Sequence, residues 1–120
     1  MAYTDTYDAS ARRRAVYELL LKNERFTCVV GFNDFIATGI LSALTDQGLS
    51  VPGKISVATF GDLHAPSTHP PMTTMIYSEA KAGALAATCL LDRLERKSDE
   101  KEVHLIPLKL EVRASTRAVL

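Results

Sequence analysis

Two stretches of this chain are almost uninterrupted in apolar and β-branched side chains: Thr27–Phe32 (Thr-Cys-Val-Val-Gly-Phe) and Ile55–Phe60 (Ile-Ser-Val-Ala-Thr-Phe). A strand with one wet face alternates apolar with polar residues. A continuous run calls for cover on both faces, which is the condition inside a parallel sheet flanked by helices. These two runs therefore predict buried parallel strands, and the segments between and around them supply the helices.

In Ala9–Lys22, the residues Ala11, Ala15, Val16, Leu19 and Leu20 fall on one helical stripe. Arg13 and Arg14 lie beside that stripe and read as a solvated face. After the first strand, Asn33 or Asp34 supplies the N-cap of a second helix with Ile36, Ile40, Leu41 and Leu44 on its apolar side. That helix stops at Gln47-Gly48-Leu49, where Gly48 can take the left-handed cap conformation. Pro52-Gly53 is a turn. Gly61–Met72, with Pro66, Pro70 and Pro71, is a long loop, and Thr73–Ile76 a short extended piece. Ser78 caps a third helix over Glu79–Arg96 with Gly83, Ala84, Ala87, Leu90, Leu91 and Leu94 on one face. Ser98–Glu102 is a charged connector. Val103–Val112 is strand-like, and Pro107 confines it to a sheet edge or a bulge. The order helix, strand, helix, strand, loop, strand, helix, strand predicts an α/β fold with a mostly parallel sheet and right-handed crossovers.

The two runs also echo one another. Val29-Val30-Gly31-Phe32-Asn33-Asp34 and Val57-Ala58-Thr59-Phe60-Gly61-Asp62 each end a strand in Phe, one residue, then Asp. Ligands of open parallel sheets bind outside the carboxyl ends of the strands. Asn33, Asp34, Gly61 and Asp62 fall there, and an amide with carboxylates can donate to and accept from vicinal hydroxyls. Phe60 or Tyr77 offers a ring to the apolar side of a sugar. Against this stand the helix-cap role of Asn33 or Asp34 and a core role for Phe32 and Phe60. His64 and His69 share a loop and read as solvated.

Other chemistries find little support. The 14 Lys and Arg balance the 14 Asp and Glu, whereas a phosphate-gripping domain is normally basic. His64, His69 and His104 have no metal-ligand spacing with one another or with Cys28 and Cys89, so neither a metal nor a cofactor is expected. There is no Gly-rich phosphate loop and no G-x-S-x-G, so an enzyme is not expected. Met1–Thr6 shows no signal-peptide pattern and no window suits a membrane helix. Cytoplasmic residence with the cysteines as buried free thiols is the expectation.

Several motifs then fall into register. Asn33-Asp34 with Ala37 and Gly39, Gly48-Leu49, Val51-Pro52, Ile55-Ser56-Val57, Pro70-Pro71-Met72-Thr73-Thr74, Gly83, Leu90-Leu91-Asp92-Arg93-Leu94 and Val112-Arg113-Ala114-Ser115-Thr116 occur in order. Together they resemble the lactose- and purine-repressor family of bacterial transcription regulators across nearly the whole chain. The resemblance implies a three-layer αβα, periplasmic-binding-protein-like effector domain of the type I kind, in which two lobes enclose a small ligand, a sugar or a nucleobase. It implies a homodimer and allosteric control of DNA binding by a helix-turn-helix not found in these 120 residues. On that basis residues 1–72 match part of the C-terminal lobe, 73–112 the crossover strands and a helix, and 113–120 a tail.

The resemblance also implies site residues. Ligand contacts fall on Asn33, with Asp34, Phe60, Asp62 and Tyr77 as the neighbouring expectations. Dimer contacts fall on the helix matching Asn33–Gln47 and the loop matching Leu63–Met72, that is on Thr38, Leu41, Leu63, His64 and His69. Two positions depart from the family pattern. Its G-[FY]-D-D is here Thr59-Phe60-Gly61-Asp62, with Gly61 in place of the first Asp, and Tyr77 stands where some members carry a ligand-binding Gln. In the family, the helix matching Glu79–Arg96 packs in the other lobe. Here its small-residue face is expected to find a replacement partner, within a dimer or by folding back on the chain.

Overall fold

The computed structural model describes residues 9–22, 25–95 and 103–118. The elements follow in the order α1 (Ala9–Leu21), β1 (Cys28–Val30), α2 (Asp34–Asp46), β2 (Ser56–Phe60), a 3-10 turn (Ala65–Ser67), β3 (Thr73–Ile76), α3 (Glu79–Leu94) and β4 (Lys109–Glu111). The sheet order is β1-β2-β3-β4. β1 runs parallel to β2 with Val30 opposite Ala58, and β2 parallel to β3 with Phe60 opposite Met75. The chain divides into two units, one comprising the residues up to Ile76 together with those from Leu110 onward, the other Tyr77–Lys109.

The first unit is built around α2. Asn33 caps it, its side chain accepting the Ile36 N–H at 2.8 Å. At the other end Gly48 takes φ +66, the Leu49 N–H donates to the Leu44 carbonyl, and the Gly48 N–H donates to that of Thr45. Those two bonds form a Schellman closure, which needs a residue free to adopt the left-handed region. Ala37, Ile40, Leu41, Ala43 and Leu44 of α2 pack with Val16 of α1, Ile55, Val57, Ala65 and Met72 into the core. Arg13 of α1 is paired with Asp46 at the end of α2, while Arg13 and Arg14 remain exposed.

Several expectations need correction. β2 is covered on both faces up to Thr59, but β1 is not: Cys28 and Val30 are exposed and only Val29 is drawn toward the core. β1 stands at the sheet edge, and the face that carries Cys28 and Val30 is exposed. Cys28 is consequently an exposed thiol rather than a buried one. β1 also covers only three residues of the run Thr27–Phe32, and β4 only three of Val103–Val112. Leu108, Leu110 and Val112 are all exposed, so the apolar alternation there faces no layer. None of the 16 residues of α3 is buried. Met1–Thr6 and the connector Ser98–Glu102 lie outside the described residues.

Candidate functional site

The parallel register brings the carboxyl ends of β1, β2 and β3 to one edge of the sheet. The ladder continues one step beyond the strands: the Gly31 N–H donates to the Ala58 carbonyl at 2.9 Å and the Gly61 N–H to the Met75 carbonyl at 3.0 Å. Hydroxyls hold the chain reversals in place. Thr74 donates to the Gly61 carbonyl at 2.6 Å, and Thr59 lies 3.4 Å from that of Gly31. Asn33 and Gly61 therefore follow directly on two paired strands, as the sequence echo predicts.

At that edge Asn33 has two halves with different duties. Its Oδ1 is committed to the helix cap, while its Nδ2 has no protein partner among the described residues. The cap and ligand readings are thus compatible, because an amide can accept through oxygen and donate through nitrogen. Phe60 is 41% exposed and Phe32 74%. Neither is a core residue, because each sits at a strand end past the layer that α2 covers. Phe60 presents an accessible ring beside Gly61. Tyr77 is exposed and belongs to the second unit.

The two aspartates are tied into the protein. Asp34 is buried and accepts the His64 N–H at 2.5 Å, fastening the start of the long loop to the first turn of α2. Gly61 has φ +87, and a Cβ built there would lie 3.7 Å from Asp34 Oδ1. There is room for a side chain at Gly61, but the backbone conformation is one that L-residues rarely adopt. Asp62 is gripped by Arg113, Nη1 at 2.6 Å from Oδ1 and Nη2 at 3.0 Å from Oδ2, and Arg113 also donates to the Met72 carbonyl at 3.0 Å. The hydrogen bond with Asp62 raises the Arg113 pKa, and partial burial opposes it. A cation with a raised pKa adds stability that persists until strongly alkaline pH. Asp62 is thus a fastening point for the tail, with its carboxylate already filled by a guanidinium.

The tail forms a clasp that sequence reasoning missed. Ser115 is fully buried; its Oγ accepts the Thr73 N–H at 2.8 Å and donates to the Val57 carbonyl at 2.5 Å. The Ser115 carbonyl takes the Val57 N–H at 2.8 Å, and Thr73 and Thr116 hydroxyls meet at 2.8 Å. Arg113, Ser115 and Thr116 belong to the closing motif noted in the sequence, whose spacing alone gave no hint that its small polar residues bridge the amino ends of β2 and β3.

Of the residues expected at a dimer contact, Leu63, His64 and His69 are exposed and Thr38 is half-buried. The Phe35 and His64 rings stand 6.1 Å apart, so α2 and the loop present a joint surface. Leu41 must be corrected: it is 6% exposed and sits in the chain's own core, which leaves it no surface for a second chain. In the second unit, Cys89 Sγ and His104 Nε2 come within 3.4 Å despite lacking any sequence motif. Among the described residues no group of three potential metal ligands forms, and no helix is long and apolar enough to cross a membrane.

Comparison with known proteins places this architecture. The chain is 35% identical over 104 residues to the HTH-type transcriptional repressor PurR of Pasteurella multocida, covering 86% of this chain and 31% of that protein. It superposes with a TM-score of 0.89 and 28% identity on a LacI-type regulator from Bacillus cereus subsp. cytotoxis, covering 95% of this chain and 41% of that one. A LacI-family regulator from Enterococcus faecium, solved with bound ribose, gives a TM-score of 0.82 at 26% identity, over 96% of this chain and 42% of the other. The chain thus spans about a third of the length of the repressors it matches in sequence. A model of the periplasmic binding protein-like domain matches residues 1–116, and with the parallel sheet and strand-end site described above, this chain belongs to that family.

Proposed function

We propose that this chain is the effector-binding and dimerisation portion of a repressor-type transcriptional regulator, acting in the cytoplasm without catalysis. Residues 1–72 contribute part of one lobe, 73–112 the crossover strands and a helix, and 113–120 the tail. The effector is a small polyhydroxylated or nucleobase-like molecule received at the strand ends. Asn33 Nδ2 donates to it and Phe60 offers a ring face. The observation that carries the reading is the Asn33 amide, capping α2 through its oxygen while its nitrogen has no partner among the described residues, at the edge where parallel sheets bind ligands. The kinship to a purine-type repressor and to a ribose-bound regulator supports the ligand class. The effector acts by favouring one lobe arrangement over another, which biases DNA-binding heads that its relatives carry elsewhere.

Thermal melts with a panel of sugars, sugar phosphates and nucleobases test this. A ligand at about a hundred times its Kd adds roughly 2.7 kcal/mol, a rise of about 10 °C for a chain of this length. Asn33→Ser keeps a cap-forming oxygen and removes the amide donor. Loss of the rise in Asn33→Ser, with unliganded stability kept, supports the reading. No rise with any member of the panel refutes an effector site on this chain.

A further inference from the structure

α3 carries a cysteine on the one stripe that is not fully open to solvent. Ala82, Leu85, Cys89 and Asp92 recur at helical spacing and are half-buried, while every other residue of α3 is exposed. Cys89 Sγ lies 3.4 Å from His104 Nε2, and both residues belong to the second unit. That separation is within hydrogen-bond reach for sulfur, whose radius exceeds that of oxygen. The imidazole is exposed and the thiol half-buried, so small solutes reach the pair.

The other cysteine supplies a contrast within the same chain. Cys28 is exposed on β1, and its thiol has no side-chain partner among the described residues. Exposure alone favours reaction at Cys28, and an adjacent base favours Cys89. A thiol attacks as its thiolate, and a base in contact with the S–H generates that thiolate during the attack. In the tautomer with its proton on Nδ1, His104 Nε2 accepts from the Cys89 S–H. As metal ligands the two fall short, because no third potential ligand joins them among the described residues.

We propose that Cys89 and His104 form a thiol-exchange site that takes up small disulfides reversibly. His104 Nε2 receives the Cys89 proton as Sγ attacks one sulfur of the disulfide R–S–S–R. A Cys89–S–S–R bond forms, the R–S–S–R bond breaks, and the departing thiolate takes the proton from the imidazolium and leaves as R–SH. Cys89 is oxidised and the departing sulfur reduced, so the small disulfide is the only oxidant the step needs. A free small thiol runs the step backwards. Access to a half-buried sulfur restricts the partner to a compact molecule. The site is independent of the effector reading.

The full chain mixed with excess hydroxyethyl disulfide tests this, with peptide mapping by mass spectrometry following each cysteine. Cys89 is expected to form its mixed disulfide about tenfold or more faster than Cys28, since general-base help is worth about 10²–10⁴. His104→Gln keeps a polar side chain but takes up no proton. It should slow Cys89 by about tenfold or more, leave the Cys28 rate unchanged, and regain part of the Cys89 rate when imidazole is added. Cys28 reacting as fast as Cys89 in the wild type overturns the proposal, whether or not the variant folds. So does a Cys89 rate unchanged in His104→Gln. A loss that imidazole does not restore, with circular dichroism unchanged, overturns the role of His104 as the base.

Discussion

Replacing Ser115 by alanine removes one oxygen from a place where water has no entry. The hydroxyl bridges the Thr73 N–H and the Val57 carbonyl, at 2.8 and 2.5 Å, and the residue is fully buried. In Ser115→Ala a methyl faces both groups. The buried N–H of Thr73 then has no acceptor and the Val57 carbonyl loses a donor, and each such loss costs about 1–3 kcal/mol. The sum is about 3 kcal/mol when the strands relax partly toward one another. At about 2.1 cal/mol/K per residue, a chain of 120 residues loses roughly 4 °C in Tm per kcal/mol, so Tm should fall by about 12 °C. Urea unfolding followed by far-ultraviolet circular dichroism measures the loss directly. Thr88→Ala is the control, because its hydroxyl bonds the Ala84 carbonyl on an exposed helix face and such changes stay within about 0.5 kcal/mol. A Ser115→Ala loss no larger than that of Thr88→Ala would refute the view that the tail is a structural clasp between β2 and β3.

Two further outcomes follow from single residues. Asn33→Ala deletes the α2 cap and should cost about 1 kcal/mol, while Asn33→Ser should come within a few tenths of the wild type; equal losses in both would show that the cap contributes nothing. Gly61→Ala has room for its methyl but must keep φ near +87, so it should cost about 1–2 kcal/mol through the backbone alone. A neutral Gly61→Ala in urea titrations would mean that the turn relaxes to an ordinary conformation.

The chain was legible wherever chemistry is local. Asn33, Gly48 and Ser78 marked helix ends because a cap needs only its own neighbours, and β3 matched Thr73–Ile76 because proline bounds it on one side and a helix cap on the other. What failed was everything that depends on a distant neighbour. Cys28 and Val30 have the chemistry of a covered strand, but cover is a property of what packs on the sheet, and β1 is an edge. Phe32 and Phe60 have core chemistry at positions past the covered layer. Asp62 resembled a free ligand contact because its guanidinium lies 51 residues away. Ser115 carries no periodic signal, and its burial is decided by the amino ends of two strands it follows by dozens of residues. At the site, position along the strand ends was readable, and the division of Asn33 between cap and donor was not.

The two units also differ in what holds them. Every residue of the core cluster lies in the first unit, while α3 buries none of its 16 residues. A helix of that length is marginal in water without tertiary packing, and Gly83 in its interior weakens it further. The helicity of α3 is therefore bound to whatever covers its open stripe. In the chain alone that part of the fold is held by few buried contacts and opens readily, whereas the first unit has its own core and its tail clasp. Hydrogen exchange followed separately in each helix should then show weak protection in α3 and strong protection in α2. Equal behaviour of the two helices would show that α3 is held from within the chain after all, and that its exposed leucines are incidental to its folding.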